Sequence, residues 1–201
     1  MDGNRRWARE RGLPPFEGHR RGYQVVKQLT RWCIDRRIPL VTLWAFSTEN
    51  WQRTQQEVGF LMDLLEWALK ADLDEFVREG IRLRVVGRRE GLRPALCDAI
   101  ARAEERTAEN TTLTLVIALN YGGRAEIVDA VQRLVAGNVR PADITEARLT
   151  QEMYWPEMPA PELIIRTSGE ERLSGFLLWH APYSELHWCR PLWPDFSRSS
   201  A

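Results

Sequence analysis

Late in the chain, Arg166, Arg172 and Ser174 place two fixed cations and a hydroxyl within nine positions, with Gly169 between them. Guanidinium forks make bidentate, charge-assisted bonds to phosphate oxygens, and a glycine lets backbone amides approach an anion. The segment therefore reads as a seat for a diphosphate. On composition alone it reads equally as an exposed charged loop whose arginines pair with Glu170 and Glu171, contacts of little worth at a surface. Its position directly after an apolar strand pattern favours the first reading.

Two other clusters carry related chemistry. Asp2-Gly3-Asn4-Arg5-Arg6 combines one carboxylate, able to hold a divalent cation, with two arginines for phosphate oxygens, and Mg²⁺ is commonly bound by few protein ligands together with substrate phosphates. In isolation Asp-Gly-Asn is a common turn, so the grouping acquires meaning only from its company. Ser47, Glu49, Asn50 and Arg53 follow a second apolar run, where hydroxyl, amide and guanidinium suit phosphate contact or proton movement; Ser47 and Thr48 equally suit a helix cap. His19 reads as a phosphate contact, a proton carrier or a polar helix cap. Gly122-Gly123 lies in neither a GxGxxG nor a P-loop pattern, so a nucleotide site is weakly supported.

These clusters need a frame. Val25, Val26, Leu29, Trp32 and Cys33 share one helical face over 22–34, and Ile38 to Phe46 form an almost continuous apolar run, a buried strand. Helical spacing continues from Gln55 to Val77, with Gly80 as the stop. There follow a strand alternation at Ile81, Leu83 and Val85, a helix from near Pro94, a strand over Leu113–Leu119, a helix over 124–135, a proline-rich stretch over 137–161 with a short helix after Thr145, and a strand over 162–166. Alternating strands and helices predict an α/β fold with a mostly parallel sheet covered on both faces, whose ligands bind beyond the carboxyl ends of the strands. The polar clusters, with Asn120-Tyr121-Gly122-Gly123 as a fourth, fall at those ends. The helix face bearing Leu61, Leu65, Ala68 and Leu69, with the inward side of Leu113–Leu119, is expected to line an elongated apolar cavity.

At 201 residues and 44% hydrophobic content, the chain reads as one domain spanning 1–201. Lys plus Arg and Asp plus Glu both number 28, a balance that argues against nucleic acid as partner. Cys33, Cys97 and Cys189 form no close pair for a disulfide framework or a zinc half-site, and no run approaches a membrane span. With a polar N-terminus these features make the cytoplasm the expected compartment. Core packing is the first explanation for the nine tryptophans.

Taken in order, Met1-Asp2-Gly3-Asn4-Arg5-Arg6-Trp7-Ala8, Gly18-His19, Phe46-Ser47-Thr48-Glu49-Asn50-Trp51, Asn120-Tyr121-Gly122-Gly123-Arg124, Arg166-Thr167-Ser168-Gly169-Glu170, Arg172-Leu173-Ser174 and Leu192-Trp193-Pro194-Asp195-Phe196 resemble the signature blocks of the cis-prenyltransferases, the undecaprenyl diphosphate synthase-like isoprenyl transferases. The resemblance implies a homodimer with a hydrophobic tunnel and two diphosphate sites. It implies condensation of isopentenyl diphosphate with an allylic diphosphate, such as farnesyl diphosphate, to a Z-configured polyprenyl diphosphate for a lipid carrier, delivered to the membrane surface. On the matching positions, Asp2 would hold Mg²⁺ and act in catalysis with Asn50. Gly3, Asn4, Arg5, Arg6, Trp7 and His19 would form the allylic site, and Phe46, Ser47, Glu49, Trp51 and Arg53 would lie between the sites. Arg166, Arg172 and Ser174 would seat isopentenyl diphosphate, with Glu185 as a further metal or supporting carboxylate. The proton would go to Asp2 or a diphosphate oxygen, relayed through His19 or Asn50.

The sequence departs from the family pattern in several places. Against the family pattern the first strand before Asp2 is missing or the sequence is truncated, and the helix and tail after Phe196 look cut; Pro15 stands where many relatives carry arginine, and Arg5, Thr54, Glu171 and Gly175 replace more usual residues. The alternatives are a non-catalytic or short-chain homologue and, from another class, a phosphate-binding α/β hydrolase or kinase. The absence of a P-loop, a GxSxG and a metal-spaced His pair counts against the latter.

Overall fold

A computed structural model describes residues 1–200. The chain opens with α1 (Asn4–Glu10) and α2 (Pro15–Asp35), then β1 (Leu40–Ser47), α3 (Gln55–Ala71), α4 (Leu73–Arg78), β2 (Ile81–Val86), α5 (Pro94–Arg106) and β3 (Leu113–Tyr121). It continues with α6 (Gly123–Ala136), α7 (Glu146–Thr150), β4 (Leu163–Arg166) and β5 (Glu185–Trp188). Pro15 at the first position of α2 and Pro94 at that of α5 lose no helical hydrogen bond there, and Thr145 caps α7 by accepting from Arg148 N at 3.1 Å.

Every strand pairing is parallel. β3 lies between β1 and β2 in a three-stranded sheet, and β4 pairs with β5 in a second sheet of two strands. The α/β expectation holds, with the strands divided between two sheets. The edge of β1 remote from β3 and the edge of β4 remote from β5 border the same cavity. β3 is buried on both faces, as a central parallel strand must be: Leu113, Leu115 and Leu119 join the core under α2, α3 and α5, while Val116, Ala118 and Tyr121 join the opposite core with Leu177 and Ile164.

Three local expectations are corrected. The helix read over Gln55 to Val77 is interrupted at Asp72, whose carboxylate is drawn to Tyr23 and Lys27 of α2. Trp193 alone among the nine tryptophans is fully in the core; Trp51 and Trp67 are exposed and the rest half-buried. The Asn120 cluster is a joint rather than part of the rim: Asn120 donates to the carbonyls of Arg88 and Glu90 and accepts from Trp51 Nε1 at 2.7 Å.

Candidate active site

The carboxyl ends of β1 and β4, the start of α1 and Arg53 just before α3 line one end of a cavity of about 1150 Å³. Asp2 is held there by its backbone. Its N–H donates to Thr167 Oγ1 at 2.8 Å, and its carbonyl accepts from the Thr167 hydroxyl at 2.9 Å and from Trp193 N at 2.9 Å. Gly3 follows with φ of 99°, and a Cβ there would stand 2.8 Å from Leu192 Cδ2, so glycine is required for the turn that starts α1.

The Asp2 carboxylate accepts from Gly3 N at 2.9 Å and from Arg166 Nη2 at 2.9 Å. Burial works to raise its pKa, but the Arg166 bond and charge, with Gly3 N–H, hold the group below the ordinary aspartate value. Arg166 turns its other terminal nitrogen to Ser174 Oγ at 3.0 Å and to the Arg172 carbonyl. One guanidinium thus connects the carboxylate of the first predicted site to the hydroxyl of the second. Arg172 pairs with Glu170 at 2.5 Å, as the surface reading expected, but Glu170 also accepts from Arg6 Nη2 at 3.0 Å, and so bridges the two sites. The loop carrying these groups is left-handed at Ser168, Gly169, Ser174, Gly175 and Leu177, a strained path characteristic of ligand-binding segments.

On the other side of the mouth, α1 packs on α2 through two glycines. A Cβ at Gly18 would lie 2.0 Å from the Asn4 carbonyl oxygen, and one at Gly22 would lie 2.3 Å from Asn4 Oδ1. Close packing brings Arg5 and His19 to Glu57 in the first turn of α3: Arg53 donates to Glu57 at 2.9 Å, and Arg5 and His19 stand 3.7 Å from its carboxylate. Burial first, then the Arg53 charge, lowers the His19 pKa to about 4, so the imidazole is neutral near pH 7. Ser47 N–H donates to Asn50 Oδ1 at 3.0 Å, which makes the predicted cap real and spends the amide oxygen.

Polar atoms without partners surround this mouth. Asn4 Oδ1, His19 Nε2 and Ser168 Oγ are buried and make no hydrogen bond, a cost that a polar ligand would remove. Among the described residues no three metal-ligating side chains gather at one point, so a cation here would depend on Asp2 and on ligand oxygens, a donor set that suits Mg²⁺ bridged to a diphosphate.

Several expected residues are placed elsewhere. Phe46 is buried in the core, and Trp51 meets its ring edge-on at 5.1 Å on the side of Asn120. Trp7 faces Asp195, to which its indole donates at 2.7 Å. Glu185 begins β5 while Trp188, at its other end, pairs with Arg166; three residues at ~3.3 Å each keep Glu185 roughly 10 Å from the Arg166 level, and one chain does not bring it to Asp2. Glu49, Asn50 and Arg53 do line the cavity. Glu57, Thr167 and the bridging role of Glu170 escape a reading of sequence. Only the position of Glu57 one turn after Arg53 on a helix hints at its pairing.

Below the mouth the cavity is apolar, lined by Leu61, Leu65, Ala68 and Leu69 of α3 and by Leu115, Ile117 and Leu119 of β3, as the helical and strand periodicities require. It continues to Leu40 and Ile81 at the start of the sheet, so it spans the eight residues of β1, roughly 25 Å.

Residues 1–201 match the family model described as "Putative undecaprenyl diphosphate synthase". An isoprenyl transferase of Thermotoga maritima is 46% identical over 200 residues, covering 98% of this chain and 86% of that protein. A ditrans,polycis-undecaprenyl-diphosphate synthase of Micrococcus luteus, specific for (2E,6E)-farnesyl diphosphate, is 44% identical over 204 residues, covering 100% and 82%. The crystal structure of lavandulyl diphosphate synthase from Lavandula x intermedia, in complex with dimethylallyl diphosphate, superimposes with a TM-score of 0.94 at 36% identity, over 99% of this chain and 88% of that one.

Proposed function

The chain belongs to the undecaprenyl diphosphate synthase family of prenyltransferases, and from that premise we propose how its own residues perform the family's chain elongation. It is a cis-prenyltransferase that condenses isopentenyl diphosphate with an allylic diphosphate. The observation that carries the assignment of residues is the Arg166 guanidinium, bonded at once to Asp2 and Ser174 where polar loops open onto a long apolar cavity.

On this reading Arg166, Arg172 and Ser174 bind the diphosphate of isopentenyl diphosphate. Gly3, Asn4, Arg5, Arg6 and His19 bind that of the allylic substrate, whose tail enters the apolar cavity. Asp2, together with diphosphate oxygens, would hold Mg²⁺, which would supply charge neutralisation for the leaving diphosphate. The arginines stabilise the same charge from fixed positions, the contribution that usually dominates such catalysis. His19, kept neutral by burial, has an unpartnered Nε2 whose N–H can donate to a diphosphate oxygen. Asn50, its carbonyl oxygen held by Ser47 N–H, is left with its amide N–H₂ to orient substrate. With Asn50 so committed, the proton goes to Asp2 or to a diphosphate oxygen.

Farnesyl diphosphate as starter, a Z-configured product for a lipid carrier, assembly as a homodimer and a cytoplasmic location complete the proposal. The exposed apolar residues Leu163, Ile165 and Leu186 on the β4–β5 sheet support a second copy, and no helix among the described residues is long and apolar enough to cross a membrane. Incubation with labelled isopentenyl diphosphate, farnesyl diphosphate and Mg²⁺ is expected to give label extractable into butanol, lost on addition of a chelator. Absence of extractable label at all metal concentrations would overturn the assignment.

A further inference from the structure

Neither Asn120 nor Trp51 borders the cavity, yet the bond between them ties down a segment that does. Glu49 and Asn50, from the short helical turn Thr48–Gln52, and Arg53, which ends it, line the cavity. A turn of five residues makes too few internal hydrogen bonds to hold itself in place. Its start is anchored by Ser47, whose N–H donates to Asn50 Oδ1 at 3.0 Å. Its end is anchored by the Trp51 indole, which meets the Phe46 ring edge-on at 5.1 Å and donates to Asn120 Oδ1 at 2.7 Å.

The acceptor is itself fixed. Asn120 is buried near the carboxyl end of β3 and left-handed, with φ of 49°, a conformation that asparagine tolerates better than most residues. Its amide N–H₂ donates to the Arg88 carbonyl at 3.2 Å and to the Glu90 carbonyl at 3.0 Å, so both protons are spent and the oxygen is left for Trp51. β3 is the central strand of its sheet, and the next residue, Tyr121, still pairs with Ser47 of β1. Three residues on, Gly123 N–H donates to the Gly175 carbonyl at 3.1 Å, beside Ser174, through a backbone bond in which the Asn120 side chain has no part.

We propose that Asn120 is a positioning residue for prenyl transfer: by holding the Trp51 indole it sets where Asn50 and Arg53 stand between the two diphosphates, and it touches neither substrate. The inference rests on Asn50 and Arg53 lying beside the substrates, as in the function proposed above. Without the bond the turn keeps its Ser47 anchor and swings about it, carrying the Asn50 amide and the Arg53 guanidinium off line. A displacement of ~1 Å at such groups costs on the order of a hundredfold in rate, while Arg172 and Ser174 still bind the ground state. The loss therefore falls on kcat rather than on the Michaelis constant for isopentenyl diphosphate.

The test uses Asn120→Gly, which keeps the left-handed backbone and deletes the amide, and Trp51→Phe, which keeps a ring against Phe46 and deletes the N–H. Each folded variant is expected to lose roughly ten- to a hundred-fold in kcat with the Michaelis constant for isopentenyl diphosphate unchanged. In the double variant the bond is already gone, so the two losses should not multiply. A kcat near wild type in folded Asn120→Gly, losses that multiply, or a loss confined to that Michaelis constant would each overturn the positioning role. If Asn120→Gly fails to fold, Trp51→Phe decides alone, and an unchanged kcat there overturns it. Asn50→Ala and Arg53→Ala are assayed alongside. Wild-type turnover in both would remove these two residues from the chemistry and the positioning with them, whereas reduced turnover there beside an unaffected Asn120→Gly would leave the site standing and Asn120 a structural residue.

Discussion

Arg166 donates to Asp2 Oδ2 at 2.9 Å and to Ser174 Oγ at 3.0 Å, so a single side chain joins the two proposed diphosphate sites. Its removal would disturb both substrates at once. Arg172, whose carboxylate partner is Glu170 rather than Asp2, is the cleaner probe of the second site. A charge-assisted bond to phosphate is worth ~1.5–3 kcal/mol, so Arg172→Ala should raise the Michaelis constant for isopentenyl diphosphate roughly ten- to a hundred-fold, with the allylic constant far less affected. Steady-state kinetics with each substrate varied in turn measures this. A rise confined to the allylic substrate would mean that the two sites are exchanged, and no change would return Arg172 to a surface pair with Glu170.

Asp2 is anchored by its backbone to Thr167 and Trp193, so its side chain contributes little to the fold. Asp2→Ala should therefore abolish turnover while shifting stability by about 1 kcal/mol or less, since the loss is one partly exposed ion pair. Activity at saturating Mg²⁺ and the thermal midpoint decide it; turnover near wild type would remove Asp2 from the metal site.

How much of this was legible beforehand follows from the range of each signal. Period-3.6 spacing assigned Leu61, Leu65, Ala68 and Leu69 to one helix face, and the structure sets that face on the cavity, because periodicity is a local property that packing rarely reverses. Thr145 as a cap is equally local. Glu57 was invisible because its partners Arg5 and His19 come from α1 and α2, brought near only by the close packing that Gly18 and Gly22 permit. β5, Glu185-Leu186-His187-Trp188, went unread because it lacks the apolar run that marked β4, and its parallel pairing with β4 is non-local, so the division of the strands into two sheets was hidden as well. The break at Asp72 was missed for a related reason: Asp72 reads as an ordinary helix residue until Tyr23 and Lys27 claim its carboxylate.

The dependence of the allylic site on glycine gives a further expectation. A Cβ at Gly18 would sit 2.0 Å from the Asn4 carbonyl oxygen, a backbone atom that cannot swing aside. Gly18→Ala must push α1 away from α2, at about 1–3 kcal/mol of stability, the usual cost of overpacking. Because α1 carries Asn4, Arg5 and Arg6 while Arg172 and Ser174 lie on another loop, the allylic Michaelis constant should rise more than that for isopentenyl diphosphate. Chemical denaturation and paired kinetics test both halves, and an equal rise in the two constants would remove α1 from a specifically allylic role.

His19 supplies a test that needs no substrate. Its pKa is lowered to about 4 in the folded protein, by burial first and by Arg53 second, against about 6.5 in an unfolded chain. Between these values the unfolded state binds a proton that the folded state refuses, so stability falls as pH drops through the window and levels off below the folded value. About 2 kcal/mol should be lost from this source between pH 7 and pH 5. His19→Gln carries no titrating group and should lose less stability over the same interval by about that amount, since the remaining groups titrate alike in both proteins. Urea midpoints at the two pH values, for wild type and variant, give the difference directly. Diphosphate binding beside the ring favours the imidazolium, so saturating inorganic pyrophosphate should shrink the gap between the two proteins. Equal losses without ligand would show that His19 titrates normally and is open to solvent, and the neutral imidazole assigned to the allylic site would have to be given up.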